Sequence, residues 1–175
     1  IRRLADTSSD EVLIFPESTL QRWNEATMIF FDTLNRCLER RRQVALVGTT
    51  FSIAGSSQQR NGAVVLGTVV EQARYIQRVP VPFAMWNPSH EASFRPCLYC
   101  PGTLQIGQRS AAVLICYEQL LLWTLLQSTL DSPSVLIGMS SSTWTQRTTI
   151  PLAQSRSLQL WGRLFHLPVL EAVHL

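Results

Sequence analysis

The sequence predicts an α/β sandwich in which the sheets are buried on both faces. Its strand-like runs are short, apolar and without polar alternation: VLIF at 12–15, AVVLG at 63–67, AAVLI at 111–115 and VLIGM at 135–139. Strands covered on both sides read this way. Several of these runs alternate with helical segments, as in layered α/β folds. The chain has 175 residues, 46% of them apolar and 15% charged, which suits a single domain, 1–175, with a real core.

Val12 to Phe15 reads as a buried strand ended by Pro16-Glu17. Ser18 then suits a helix N-cap, with Gln21 completing a capping box. From Thr19 to about Arg41, Leu20, Trp23, Thr27, Phe30, Phe31, Leu34 and Leu38 recur at helical spacing, which predicts an amphipathic helix. Gln43 to Phe51 is a second strand and Ala63 to Gly67 a third. Glu71 to Cys100 carries Pro80, Pro82, Pro88 and Pro96 among aromatics, which predicts an irregular surface segment. Loops of this length usually have a function. A strand at Ala111–Ile115 follows, then a helix from Glu118 to about Leu130. Leu120, Leu121, Leu122, Trp123, Leu125 and Leu126 give that helix almost no polar face, so it is expected to be covered on both sides. Val135 to Met139 is another strand. Pro151 suits the first turn of a helix reaching about Phe165, and Leu167 to Val173 supplies the last strand.

Net charge is +3 with scattered basic residues, and Arg40-Arg41-Arg42 falls at a helix end, where cations are expected. No basic stripe suggests nucleic-acid binding. No apolar run reaches the roughly 20 residues of a membrane span, and no signal peptide is visible. The chain starts at Ile1, as a piece of a longer protein would. There is no GxGxxG, P-loop or histidine–acid cluster of metal-ligand spacing, so neither cofactor nor metal is expected. His90, His166 and His174 read as structural or solvent-facing. Of four cysteines, Cys37 reads as core, while Cys97-Leu-Tyr-Cys100 is compatible with a disulfide, half a metal site or neither.

Cys116 is the principal candidate. An apolar strand delivers it to the start of a helix, where backbone N–H groups can hold a thiolate and a developing oxyanion. Glu17 also follows an apolar strand. If the two strands are parallel neighbours, its carboxylate can take the thiol proton and return it to a leaving group. The alternative is a buried cysteine and an unrelated loop glutamate.

LIFPES around Glu17 and LICYE around Cys116 resemble the glutamate and cysteine motifs of the nitrilase (carbon–nitrogen hydrolase) superfamily, nearest its apolipoprotein N-acyltransferase branch. The segment PVPFAMW at 80–86 is most similar to proteins of plasmid conjugal transfer. Trp144, Ile150-Pro151, Gln154 and the PVLEAV ending at 168–173 also resemble the branch. The resemblance runs from Glu17 to the end of the chain, with parts of the family's N- and C-terminal ends lacking. It implies a four-layer αββα sandwich and acyl transfer or amide hydrolysis through a cysteine thioester. It also implies pairing as a homodimer and membrane association through segments absent from this chain, with the sandwich on the periplasmic side of the bacterial inner membrane. The partner would be an acyl donor or amide substrate.

Carried onto this chain, the resemblance makes Cys116 the nucleophile and Glu17 the general base and acid. The Tyr117 N–H becomes an oxyanion donor and Glu118 a positioning group. Gln77 stands where the family's lysine is expected, and Met85 where a further glutamate is often found. Arg78 or Arg74 could stand in for that cation, but an arginine's rigid fork is a poor replacement for a point charge and a neighbouring loop residue can point the other way. Arg78, Phe83 and Trp86 are the substrate-side candidates, with Phe94, although these aromatics equally suit pinning the loop. Trp123 and Trp161 read as core or interface.

Overall fold

The computed structural model describes residues 11–67, 73–87, 89, 93–106, 109–143, 145 and 147–174. Trp144 and His90 lie outside these residues. The described strands form two four-stranded sheets. The first contains β1 (Val12–Ile14), β2 (Val44–Ser52), β3 (Gln59–Leu66) and β4 (Arg74–Ile76), in that order. β1 runs parallel to β2, and the other pairs are antiparallel. The second sheet contains β5 (Thr103–Ile106), β6 (Arg109–Ile115), β7 (Val135–Ser141) and β8 (Val169–His174). β5 is antiparallel to β6, whereas β6, β7 and β8 are mutually parallel.

Side-chain alternation explains why the strands are apolar throughout. Along β3, Ala63 and Val65 enter a core shared with Ala111, Val113 and Ile115 of β6. Val64 and Leu66 point the other way, toward Leu34 and Leu38 of helix α1 (Glu25–Arg40). On the second sheet, Ala112, Leu114 and Leu136 meet Leu125 of α2 (Leu122–Thr129) and Leu158 of α3 (Ile150–Leu164). The layers are helix, sheet, sheet and helices, which is the expected αββα sandwich. Its central layer is the largely apolar space between the two sheets, and the cysteine and its partners lie along that layer.

Several elements differ from expectation. Helix α1 begins at Glu25, not near Thr19. Residues 20–23 instead continue beside β2: the Leu20 N–H donates to Gly48 O at 2.9 Å and the Trp23 N–H to Thr50 O at 2.8 Å. Strand-like bonding therefore displaces the first predicted turns. Asn24 becomes the N-cap, its Oδ1 accepting from the Thr27 N–H at 3.0 Å while Thr27 Oγ1 accepts from the Asn24 N–H at 2.7 Å. Phe30, expected on the buried face, is 78% exposed. Helix α2 is not covered on both sides. Leu125 is buried, but Leu122, Trp123 and Leu126 are exposed, so Trp123 is not core. Trp161 packs partly buried beside the second sheet, its indole N–H donating to Gln119 O at 3.0 Å.

The proline-rich segment is not wholly irregular, because β4 lies within it. Pro82 and Trp86 bridge a tight turn in which the Phe83 N–H donates to Trp86 O at 2.8 Å. Cys97 and Cys100 form a disulfide.

Candidate active site

Glu17 and Cys116 come from different sheets, so they are not neighbours in one parallel sheet. They meet across the central layer, each at a backbone kink. Glu17 follows β1 and precedes Ser18 at φ 58°, while Cys116 itself has φ 53° at the end of β6. Such values are costly for non-glycine residues and are retained where the surroundings impose them. Gly48 of β2 makes the first kink possible. A Cβ there would lie 2.3 Å from Pro16 O and 2.7 Å from Glu17 Cα.

The Cys116 thiol donates to the Glu17 carboxylate, and the sulfur receives the Tyr117 backbone N–H. A second donor, Gln154 Nε2 on α3, lies 3.6 Å from Sγ. The carboxylate is held on both oxygens: Oε1 accepts from Asn61 Nδ2 at 2.7 Å, and Oε2 accepts from the Ser141 N–H at 3.2 Å. Burial raises the Glu17 pKa against these hydrogen bonds. Burial first, and then the Glu17 charge, push the Cys116 thiol up to about 12; Gln154 and the Tyr117 N–H only partly oppose them. At neutral pH the thiol therefore keeps its proton.

Glu118 is fully buried and anchors the elbow. Its Oε2 accepts from the Ile115 N–H and from the Tyr75 hydroxyl, both at 2.9 Å, and Oε1 accepts from the Arg78 N–H at 2.7 Å. Arg78 Nε pairs with Oε1 at 3.4 Å. Burial raises the Glu118 pKa, while Arg78 pulls it down.

Comparison with solved structures gives the same architecture. An amidase of the nitrilase superfamily from Nesterenkonia sp. AN1, as a cysteine-to-alanine mutant, superposes with a TM-score of 0.66 at 16% identity, over 99% of this chain and 66% of that one. The same amidase after tag removal gives 0.67 at 15% identity, over 99% and 68%.

The chain has the nitrilase fold.

In sequence it is similar to the conjugal transfer protein TraB of Agrobacterium fabrum, at 29% identity over 97% of this chain. The probable TraB of Sinorhizobium fredii is likewise 29% identical, over 90% of the chain. The chain spans about two fifths of the length of these curated relatives, 40% and 41%. No family model matches it.

Gln77, expected from the resemblance at the family's lysine position, is a neutral amide. Gln77 is fully buried, its Nε2 donating to Ile115 O and its Oε1 accepting from Asn61 Nδ2, both at 2.9 Å. All fifteen Lys and Arg residues of the sequence are arginine. Arg78 is not the substitute cation, nor does it face a substrate. It is fully buried, with Nη1 donating to Thr124 O at 2.8 Å and Nη2 to Ser128 Oγ at 2.9 Å, so its guanidinium points toward α2. Arg74 stacks over the Phe51 ring on the first sheet's outer side, away from the cysteine. Phe83 is 86% exposed and Trp86 lies at the surface of its turn. The Phe94 N–H donates to Met85 O at 2.9 Å, which ties the loop together. Among the described residues, no group of His, Cys, Asp and Glu is placed to hold a metal ion.

Asn61 was missed by sequence reasoning. Its only signal was a polar residue at the start of an apolar run, just before Gly62-Ala63. Tyr75 was missed as a ligand of Glu118 for the same reason: one polar group among apolar neighbours does not reveal its partner.

Proposed function

We propose that this chain is the cysteine-dependent domain of a conjugal-transfer protein, performing acyl transfer or amide hydrolysis through a thioester on Cys116. The observation carrying this reading is the Cys116 thiol donating to a buried Glu17 carboxylate at a strained strand end. The sulfur attacks the carbonyl of R–CO–X as Glu17 takes its proton, and the carbonyl electrons become an oxyanion beside the Tyr117 N–H. The oxyanion collapses, the bond to X breaks, and Glu17 gives its proton to X. Water or an acceptor amine then attacks the thioester, losing its proton to Glu17, and the departing sulfur recovers that proton. Glu118 holds the elbow while this occurs.

The nitrilase-superfamily amidase from Nesterenkonia supports the choice of probe. A glutamate-to-glutamine mutant of it has been captured with the acetamide moiety of fluoroacetamide covalently added at the active-site cysteine. The similarity to TraB supports the setting in plasmid transfer. Disulfides persist in oxidising compartments such as the bacterial periplasm, so Cys97–Cys100 supports a periplasmic location. Attachment to the membrane would use segments outside this chain; among the described residues no helix is long and apolar enough to cross one.

Gln77 and the raised thiol pKa favour a second reading, a catalytically weakened scaffold that binds a lipid, peptide or protein partner. Loss of one oxyanion donor typically costs roughly 3–4 kcal/mol of transition-state stabilisation. Incubation with fluoroacetamide and with p-nitrophenyl butyrate, followed by peptide mass spectrometry, separates the readings. The enzyme reading expects adducts on Cys116, none there in Cys116→Ala, and turnover of the ester. An unreactive Cys116 in folded protein would leave the scaffold reading.

A further inference from the structure

We propose that Asn61 is the positioning residue that keeps Glu17 ionised and aimed at Cys116, and that Gln77 acts through it. This rests on the reading of Cys116 as nucleophile and Glu17 as base. Asn61, nearly fully buried, lies on the β3 face that enters the central layer, next to Gln77 at the end of β4: the Gln77 N–H donates to Asn61 O at 2.8 Å.

The directions of the side-chain hydrogen bonds are fixed from one end. Ile115 O accepts only, so Gln77 must present Nε2 to it, at 2.9 Å. That turns Gln77 Oε1 toward Asn61, which must answer with Nδ2, at 2.9 Å. The second Nδ2 hydrogen then reaches Glu17 Oε1 at 2.7 Å. A flipped Asn61 would set its oxygen against two acceptors at once. Its Oδ1 is left buried without a hydrogen-bond partner, consistent with an orientation imposed by the other two contacts. The chain Ile115 O, Gln77, Asn61, Glu17 therefore demands an accepting oxygen at Glu17. A hydrogen bond to the charged form favours that form. Two neutral amides thus do the orienting.

The test is the pH profile of Cys116 alkylation by iodoacetamide on the whole chain, resolved by peptide mass spectrometry so that Cys37 is read separately. Circular dichroism and thermal melts confirm folding. In the wild type, the acid limb of the profile reports Glu17 ionisation. Asn61→Leu should move that limb up by about one pH unit, the expected effect of losing one charge-assisted hydrogen bond. The near-isosteric Asn61→Asp, which brings an acceptor or a second charge to Glu17, should move it further, and it serves if the leucine variant does not fold. Glu17→Gln should abolish the limb. An unshifted limb in a folded Asn61 variant, with Glu17→Gln flat, overturns the role of Asn61 alone. A wild-type limb in Glu17→Gln overturns the base assignment and the proposal with it.

Discussion

Two buried glutamates flank the same elbow and are held in opposite ways. Glu118 has a guanidinium, a phenol and three backbone N–H groups at 3.4 Å or closer: Arg78, Tyr75 and the amides of Ile115, Arg78 and Val79. Glu17 has the Asn61 amide, one backbone N–H and the Cys116 thiol, and no ion pair among the described residues. Burial raises the pKa of both. The buried cation thus secures the backbone that carries the nucleophile, not the nucleophile itself. Architecture and reactivity are separately supported, and each can be broken without the other.

The largest effect should come from the architectural half. Arg78→Met removes the cation from a fully buried carboxylate and leaves Thr124 O and Ser128 Oγ without their guanidinium partner. Breaking a buried pair this way typically costs about 3–5 kcal/mol, to be read by urea denaturation. Adding Glu118→Gln should recover much of the loss, since the uncompensated charge is gone. A loss under about 1 kcal/mol in the single variant would mean that Arg78 does not hold the elbow.

The thiol should show itself at alkaline pH. Its pKa is raised from 9.0 to about 12 by burial and by Glu17. Between those values the folded chain keeps a proton that the unfolded chain releases. The stabilising contribution is therefore complete below pH 9 and is lost as pH rises toward 12. The slope is about 1.4 kcal/mol per unit, or roughly 4 kcal/mol over the interval. Cys116→Ala should lack this slope when the two proteins are denatured in parallel from pH 8 upward. Identical slopes would show that the thiol titrates normally.

The two halves were not equally legible in the sequence. The burial of the sheets on both faces could be read because it leaves a continuous apolar signal at Val44–Phe51 and Ala111–Ile115, whereas the four-layer αββα order came only from the family resemblance. Cys116 and Glu17 could be read because each ends such a run. Their meeting across two sheets could not, since strand ends do not say which sheet a strand joins. The start of α1 was missed because Leu20 and Trp23 fit helical spacing but bond to Gly48 and Thr50 of β2. Arg78 was misplaced because a loop position says nothing about direction, and its three-dimensional partners lie about forty to fifty residues away. Asn61 was silent because its importance lies in hydrogen-bond direction, which no spacing encodes.

Reactivity should respond strongly to a cation introduced into the other half. A lysine side chain is one bond longer than glutamine beyond the point where Gln77 Nε2 meets Ile115 O, beside Cys116. Gln77→Lys brings a charge that opposes both causes of the raised thiol pKa. Alkylation of Cys116 at pH 8 should rise about tenfold, equivalent to about one unit of pKa. The Ile115 and Asn61 contacts of Gln77 are lost in exchange, so a modest fall in melting temperature is expected alongside. An unchanged rate would show that the missing charge is not what limits the thiol.

The smallest effect should be at Gln154. Its Nε2 reaches Sγ at 3.6 Å, a distance acceptable for sulfur but weak, and it is one of two influences lowering the thiol pKa. Gln154→Leu keeps the side-chain bulk on the buried face of α3 while deleting the donor. Alkylation at pH 8 should fall only two- to threefold, about 0.5 kcal/mol, with the acid limb of the profile unmoved because Glu17 keeps all its own partners. A shift of that limb would place Gln154 on the carboxylate instead of the sulfur. A tenfold loss would show that the sulfur depends on the glutamine amide far more than its 3.6 Å contact implies.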